Sequence, residues 1–286
     1  MKIRTRSAKA SDRDRFIWIE KGATPGLSYV NDVWEMFTRG DDGEFSAALY
    51  GDELGGMGKL TRLYADYAWL ETLRVHPDYQ GKGLGKAIYD RYLEQMAQMR
   101  LSAIGMYTNY DNKASRSLAE RYGLQVKARF NEFTKLDVPK TDVDFGDMRL
   151  VCEADSREVL EKHFDKSEEF LVLNRTFYPV KAGLAEMLAA NGWMYAGSLG
   201  MIVMGYRFQL EKALHVAFMQ GDKDELLKFA YAKAAEIGAG SVSAMRMCHN
   251  SEEHEFLSRN GFVKNSTDYI TLWRDDGEGI SLCQRV

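Results

Sequence analysis

Apolar positions dominate residues 69–75 and end on the β-branched Val75, which predicts a strand; from residue 84 to about 99 they recur at helical spacing. Earlier in the chain, residues 3–7 alternate as a first strand, and Ser11-Asp12 caps a helix carrying Phe16, Ile17 and Ile19. Thr24-Pro25-Gly26 ends that helix. Tyr29, Val33, Trp34 and Phe37 space a second helix up to Gly40, and residues 45–50 and 56–63, separated by Gly51-Asp52, predict a hairpin. Further on, residues 102–108 read as a strand, 113–122 as a helix stopped by Gly123, and 126–134 as another strand.

The pattern then recurs. Residues 139–147, polar and opened by Pro139, read as a linker between 1–138 and 148–286. Residues 148–153 predict a first strand, and Ala154-Asp155-Ser156 opens a helix as Ala10-Ser11-Asp12 does. Asn250-x-x-Glu253-x-x-Phe256-x-x-x-x-Gly261-Phe262 repeats Asn112-x-x-Ser115-x-x-Leu118-x-x-x-x-Gly123-Leu124 at a constant offset of 138, and residues 241–247 precede it as 102–108 precede the first. Repetition on this scale means duplicated domains.

Composition narrows the classes. At 286 residues and 45% hydrophobic content the chain can bury two cores. Thirty-eight basic against 42 acidic residues leave a net charge of −4, so no global electrostatic case exists for a nucleic-acid partner. No window reaches 18 apolar residues and the first residues lack an apolar leader, so no membrane partner is expected and the protein reads as soluble and cytoplasmic. Cys152, Cys248 and Cys283 are too scattered for disulfides or zinc, the five histidines are dispersed, and no metal is expected. Monomer and homodimer both remain open.

The chemistry concentrates at Gly81, Gly83 and Gly85, three glycines in five residues at the strand-to-helix junction. Alternate glycines there turn backbone N–H groups toward one point, and the helix behind adds the positive end of its dipole. Such a nest binds phosphate. It is not a Gly-x-x-x-x-Gly-Lys-Ser/Thr loop, because Ala87 follows Lys86, and it is one residue too tight for a dinucleotide fingerprint. Lys82 and Lys86 are either phosphate partners or ordinary solvated lysines. In the second half the same place holds Gly221, Asp222, Asp224 and Glu225, whose carboxylates would repel a pyrophosphate.

Gln80-Gly81-Lys82-Gly83-Leu84-Gly85 resembles the acetyl-CoA loop, Gln/Arg-x-x-Gly-x-Gly/Ala, of the GNAT superfamily of N-acetyltransferases, and Leu73-Arg74-Val75-His76-Pro77 resembles that family's fourth strand and its exit. Asn112, Ser115, Leu118 and Gly123-Leu124 resemble its later helix. The resemblance implies an α/β (α+β) chain of two tandem GNAT-like domains, each a mixed, mostly antiparallel sheet flanked by helices. Residues 1–138 would be the catalytic copy and 148–286 a degenerate copy without a CoA loop. Tandem proteins of the mycothiol synthase type are similar in architecture, although their working copy is the C-terminal one.

The same resemblance implies acetyl-CoA as acyl donor, held by Leu73, Arg74, Val75, Gln80, Gly81, Lys82, Gly83, Leu84, Gly85, Lys86, Asn112 and Ser115. Asn112 also reads as a plain helix cap. Acetyl would pass directly, in a ternary complex, to a primary amine of a small molecule. Glu71 is the candidate base, placed by alternation on one side with Leu73 and Val75; a solvated edge carboxylate is its other reading. Where the family commonly has a tyrosine that protonates the thiolate, this chain has Ala119. Tyr122 and Tyr110 are the candidate acids, with Tyr107 and water as alternatives. Trp18, Trp34 and Phe37 read as core, or as walls of the acceptor pocket. The competing reading is a non-catalytic acyl-CoA-binding or sensing protein.

Overall fold

The protein is described by a computed structural model over residues 1–139, 145–164, 168–208 and 212–275. The first half runs β1 (Ile3–Ser7), α1 (Arg13–Ala23), α2 (Val30–Thr38), β2 (Gly43–Tyr50), β3 (Glu53–Tyr64), β4 (Tyr67–Val75), α3 (Leu84–Met99), β5 (Ala103–Asn109), α4 (Lys113–Arg121) and β6 (Gln125–Leu136). The second runs β7 (Arg149–Leu150), α5 (Glu153–His163), β8 (Phe170–Leu173), β9 (Thr176–Pro179), α6 (Leu184–Ala190), β10 (Met194–Gly197), β11 (Gly200–Gly205), β12 (Leu214–Gly221), α7 (Lys223–Glu236), β13 (Ser241–Met247), α8 (Ser251–Arg259) and β14 (Val263–Asp275). This is a mixed α/β fold, mostly antiparallel, with helices on the sheet faces.

Two compact units form. Among the described residues the first comprises Met1–Met106, Asn112–Lys127 and 272–275; the second comprises Tyr107–Asp111 and 128–271. The division expected at 139–147 therefore differs from the observed one. Strand pairing is the reason: β6 is laddered to β13 from Phe130↔Met247 to Leu136↔Ser241, so from Ala128 onward it belongs with the second unit. Of the expected linker, residues 140–144 lie outside the described residues.

In the first unit the strands follow the order β1-β2-β3-β4-β5, antiparallel except for the β4–β5 pair. Successive β3 residues show which helices cover which face. A Cβ on Gly58 would lie 2.1 Å from the Tyr92 hydroxyl of α3, whereas the Lys59 ammonium stands 5.8 Å from the Phe37 ring centre of α2. Neighbouring strand residues point to opposite faces, so α3 packs on one side and α1 and α2 on the other. Phe16, Trp34, Phe37 and Phe45 form an edge-to-face aromatic cluster on the α1–α2 side, with Trp34 and Phe37 fully in the core. Lys59 is wholly buried and pairs with Asp42 at 2.6 Å, as a buried cation must.

The second unit orders its strands β6-β13-β12-β11-β10-β7, with β12–β13 the parallel pair and β8–β9 a separate hairpin. The strand expected at 148–153 is only Arg149–Leu150; Glu153, at the first turn of α5, adds a favourable charge to the helix dipole there. Its core gathers Phe133, Ile202, Leu226, Phe229, Val242 and Leu257.

The internal repeat is present in three dimensions. Asn112 Oδ1 accepts from Ser115 N at 3.1 Å to cap α4, Asn250 Oδ1 accepts from Glu253 N at 3.2 Å to cap α8, and both helices end at glycines of φ +85° and +80°. Each cap supplies an acceptor for an orphan N–H of the first turn. Asn112→Ala and Asn250→Ala are therefore each expected to cost about 1 kcal/mol in chemical denaturation. Equal losses would mark the two caps as equivalents, and no loss from either would contradict the capping role.

His215, on β12, is buried to 9% exposure, and burial pushes its pKa down to about 4 from 6.5 despite nearby Glu132. The unfolded chain thus takes up this proton at a higher pH than the folded one. Stability is full above about pH 6.5 and falls by up to about 1.4 kcal/mol per pH unit toward pH 4. Melting temperature against pH should show this slope, and His215→Leu should flatten it; an unchanged slope would exclude His215 as its source.

Candidate active site

Strand β4 carries the distinctive geometry. It pairs in parallel with β5 only at Tyr67↔Ala103, Ala68↔Ile104 and Trp69↔Gly105, so beyond Trp69 its edge is released from that ladder. On its other edge Lys59 pairs with Glu71 but Met57 pairs with Arg74, which leaves one extra residue in β4. That residue is a bulge at Thr72, whose φ is +58°. A β-branched residue in the left-handed region costs on the order of 1–3 kcal/mol, and such strain persists where the surroundings over-determine it. Here they do: Thr72 is buried and its hydroxyl lies 2.7 Å from the Tyr29 hydroxyl.

The bulge corrects the expected facing of Glu71. Residues opposite one another across an antiparallel pair share a face, so Glu71 lies with Lys59 and Arg74 lies with Met57, both on the α1–α2 side. Regular alternation would have grouped Glu71 with Leu73 and Val75; the extra residue groups it with Arg74. Thr61 Oγ1 donates to Glu71 Oε1 at 2.5 Å. Arg74 donates from Nε to Thr24 Oγ1 at 2.9 Å and from Nη1 to the Tyr29 hydroxyl at 3.2 Å, with its guanidinium 5.0 Å from the Tyr29 ring centre. Its side chain therefore serves the α1–α2 side, leaving only its backbone for the donor side.

Glu20 completes this cluster. It is fully buried, and its carboxylate accepts from Tyr29 N and Val30 N at 3.2 Å where α2 begins. Burial raises its pKa, against the lowering by the Val30 hydrogen bond and by Arg74. Trp18, half-buried, stacks on His76 at 3.4 Å between ring centres, with Arg15 3.6 Å over the indole. Tyr29, Thr72, Glu20 and Thr24 carry no local sequence signal; the α1–α2 turn and the bulge bring them together.

At its C-terminal end β4 feeds the glycine loop. His76 N donates to Gly55 O at 2.9 Å, and Gln80 Nε2 reaches back to Val75 O at 3.0 Å. Gly81 and Gly83 have φ of +72° and +89° with Lys82 between them, an alternation that gathers N–H groups into a concavity. Gly83 is the N-cap of α3, with no side-chain cap, so the first-turn N–H groups of Leu84, Gly85 and Lys86 meet no intrahelical acceptor. The loop is exposed, and a Cβ on Gly81 would meet nothing within 4 Å. Lys82 Nζ donates to Asp78 O at 2.6 Å and lies about 5 Å from the Tyr79 and Tyr50 ring centres. This loop suits a polyanion, and its openness is what a phosphate group needs.

The second unit lacks it. There α7 starts directly after β12, and Asp222 Oδ1 accepts from Glu225 N at 3.1 Å, so the chain's own carboxylate fills the helix N-terminus.

The candidate acids fall elsewhere. The Tyr122 hydroxyl bonds to α3, 3.0 Å from Lys86 O and 2.7 Å from Asp90 Oδ1, and its ring stacks on Tyr89. Tyr110 belongs to the second unit, where Arg129 covers its ring at 3.8 Å. Ala119 is fully buried in α4. Among the described residues no group of three or more His, Cys, Asp or Glu could hold a metal, and no helix is long and apolar enough to cross a membrane.

Comparison with known proteins agrees with this geometry. Residues 13–124 match the acetyltransferase (GNAT) family. No curated protein matches the chain in sequence. Among solved structures, a GCN5-related N-acetyltransferase from Sphaerobacter thermophilus is 15% identical with a TM-score of 0.63, covering 98% of this chain and 98% of its own. A protein of Pyrococcus horikoshii described as an acetyltransferase is 18% identical with a TM-score of 0.64, covering 96% of this chain and 89% of its own. At these identities the likeness is one of fold, and it runs over nearly the whole of each chain.

Proposed function

We propose that this chain, whose residues 13–124 match the acetyltransferase (GNAT) family, is an N-acetyltransferase that uses acetyl-CoA and acts on a primary amine of a small molecule. The observation that carries the reading is the bulged, partly released β4 running into a left-handed glycine loop at the uncapped start of α3. Acetyl-CoA supplies the acyl thioester. Backbone N–H groups of Gly81, Lys82, Gly83, Leu84, Gly85 and Lys86 hold its pyrophosphate, Gln80 fixes the loop to the strand, and Asn112 and Ser115 flank the pantetheine arm from α4.

The remaining steps belong to β4. Backbone donors at Leu73, Arg74 and Val75 face the negative charge that builds on the carbonyl oxygen. Glu71 removes a proton from the ammonium, because only the neutral amine attacks. Arg74, Tyr29 and Thr72 form the wall beside Glu71 against which the acceptor is oriented. A thiol with a pKa of about 8.5 is a good enough leaving group to depart as thiolate and take its proton from water. No tyrosine is therefore required at Ala119.

Free-thiol release from acetyl-CoA against a panel of small primary amines tests the proposal. Amine-dependent release is the expected result. Binding of acetyl-CoA without release by any amine would replace it with the sensing reading.

A further inference from the structure

The phosphate loop is shaped by itself and held by others. Tyr79 N donates to His76 O, Gln80 Nε2 to Val75 O and Lys82 Nζ to Asp78 O, bonds between near neighbours in sequence that fold the loop without fixing its place on the unit. From residue 77 to 83 every residue but Tyr79 is solvent-exposed. His76, where the loop begins, is the other ring drawn inward, with its side chain 12% exposed.

One face of α1 receives both rings. Arg15, Trp18 and Gly22 follow one another at spacings of three and four, which places them on one side of the helix. The Trp18 and His76 rings lie 13° from parallel with their centres 3.4 Å apart, and the Arg15 guanidinium stands 3.6 Å over the indole. Gly22 makes room for this stack: a Cβ there would stand 2.3 Å from His76 Cδ2. Glycine weakens a helix, and the close approach of the imidazole is the packing reason for one here. Tyr79 is seated in the same way. Arg15 donates from Nε to Leu54 O at 2.8 Å and from Nη2 to the Tyr79 hydroxyl at 3.2 Å, and a Cβ on the buried Gly55 of β3 would stand 2.4 Å from Tyr79 Cγ. On the Tyr79 ring in turn rests Lys82, its ammonium 5.0 Å from the ring centre. A line of contacts thus runs from α1 through Arg15 and Tyr79 to the cation of the loop.

We propose that Arg15, Trp18, His76 and Tyr79 are positioning residues for the acyl donor: they hold the glycine loop in register with the N-terminus of α3 before acetyl-CoA arrives. The proposal rests on the reading of that loop as the acetyl-CoA site. A loop already in its binding geometry loses little conformational freedom on binding, so the clamp appears as donor affinity. Two glycines, one on α1 and one on β3, are the seats that let the rings close down.

Calorimetric titration of acetyl-CoA into the full chain and its variants tests this. Trp18→Ala and Tyr79→Ala should each weaken binding about tenfold, whereas Trp18→Phe, which keeps an aromatic face for His76, should stay within about threefold. Gly55→Ala should weaken binding about as much as Tyr79→Ala, because its methyl group takes the place of the ring. The double variant Gly55→Ala/Tyr79→Ala should bind no worse than Tyr79→Ala alone, since the seat has no further use once the ring is gone. Wild-type affinity in Trp18→Ala and Tyr79→Ala, a loss in Trp18→Phe equal to that in Trp18→Ala, or additive losses at positions 55 and 79 would overturn the proposal alone. A wild-type chain that binds no acetyl-CoA would instead overturn the functional reading beneath it.

Discussion

Replacing Gly85 by glutamate is expected to lower acetyl-CoA affinity at least about a hundredfold, near 3 kcal/mol, while the melting temperature holds or rises. The two effects have opposite signs for physical reasons. Gly85 lies in the first turn of α3, so a glutamate there gains helix propensity of about 1 kcal/mol and interacts favourably with the helix dipole. Its new Cβ meets only Leu118 Cδ2 at 3.2 Å, the movable end of a side chain. In the loop, however, the same carboxylate occupies the place of a phosphate and repels what remains. Gly85→Ala keeps the N–H groups and adds no charge, and should retain binding within about tenfold. Gly83→Glu should also lose binding, but at φ +89° it carries a backbone cost that blurs the comparison. Full affinity in Gly85→Glu would remove the loop from the donor site.

The second large effect belongs to Glu71. Glu71→Gln preserves the shape and the hydrogen bond from Thr61 while removing the charge that accepts a proton. Turnover should fall by about a hundredfold or more while acetyl-CoA affinity stays within about twofold, and the pH–rate profile should change. A profile identical to that of the wild type would exclude Glu71 as the base. The bulge sharpens this prediction: by turning Glu71 to the same face as Arg74, it puts the carboxylate on the α1–α2 side, with the Thr61 hydroxyl as its partner, and away from the α3 face.

Much of the fold was legible because the hydrophobic period and the turn residues agreed. The 138-residue repeat in the sequence reappears as paired strands, paired asparagine caps and paired glycine stops, since each of those features is local. The glycine loop was legible for the same reason. What could not be read was non-local. A threonine in a strand carries no mark of a left-handed conformation, so the bulge at Thr72 and the facing it imposes on Glu71 emerge only from the register with β3. Tyr29 and Glu20 meet Arg74 through the fold of the α1–α2 turn. The boundary between units followed the ladder of β6 with β13, which a linker rich in polar residues does not report.

The most direct test of the account is a calorimetric titration of acetyl-CoA into the wild-type chain. One site per chain, lost in Gly85→Glu, is the predicted result, because among the described residues only the first unit offers an open phosphate loop. Two equivalent sites, or no binding at all, would contradict it.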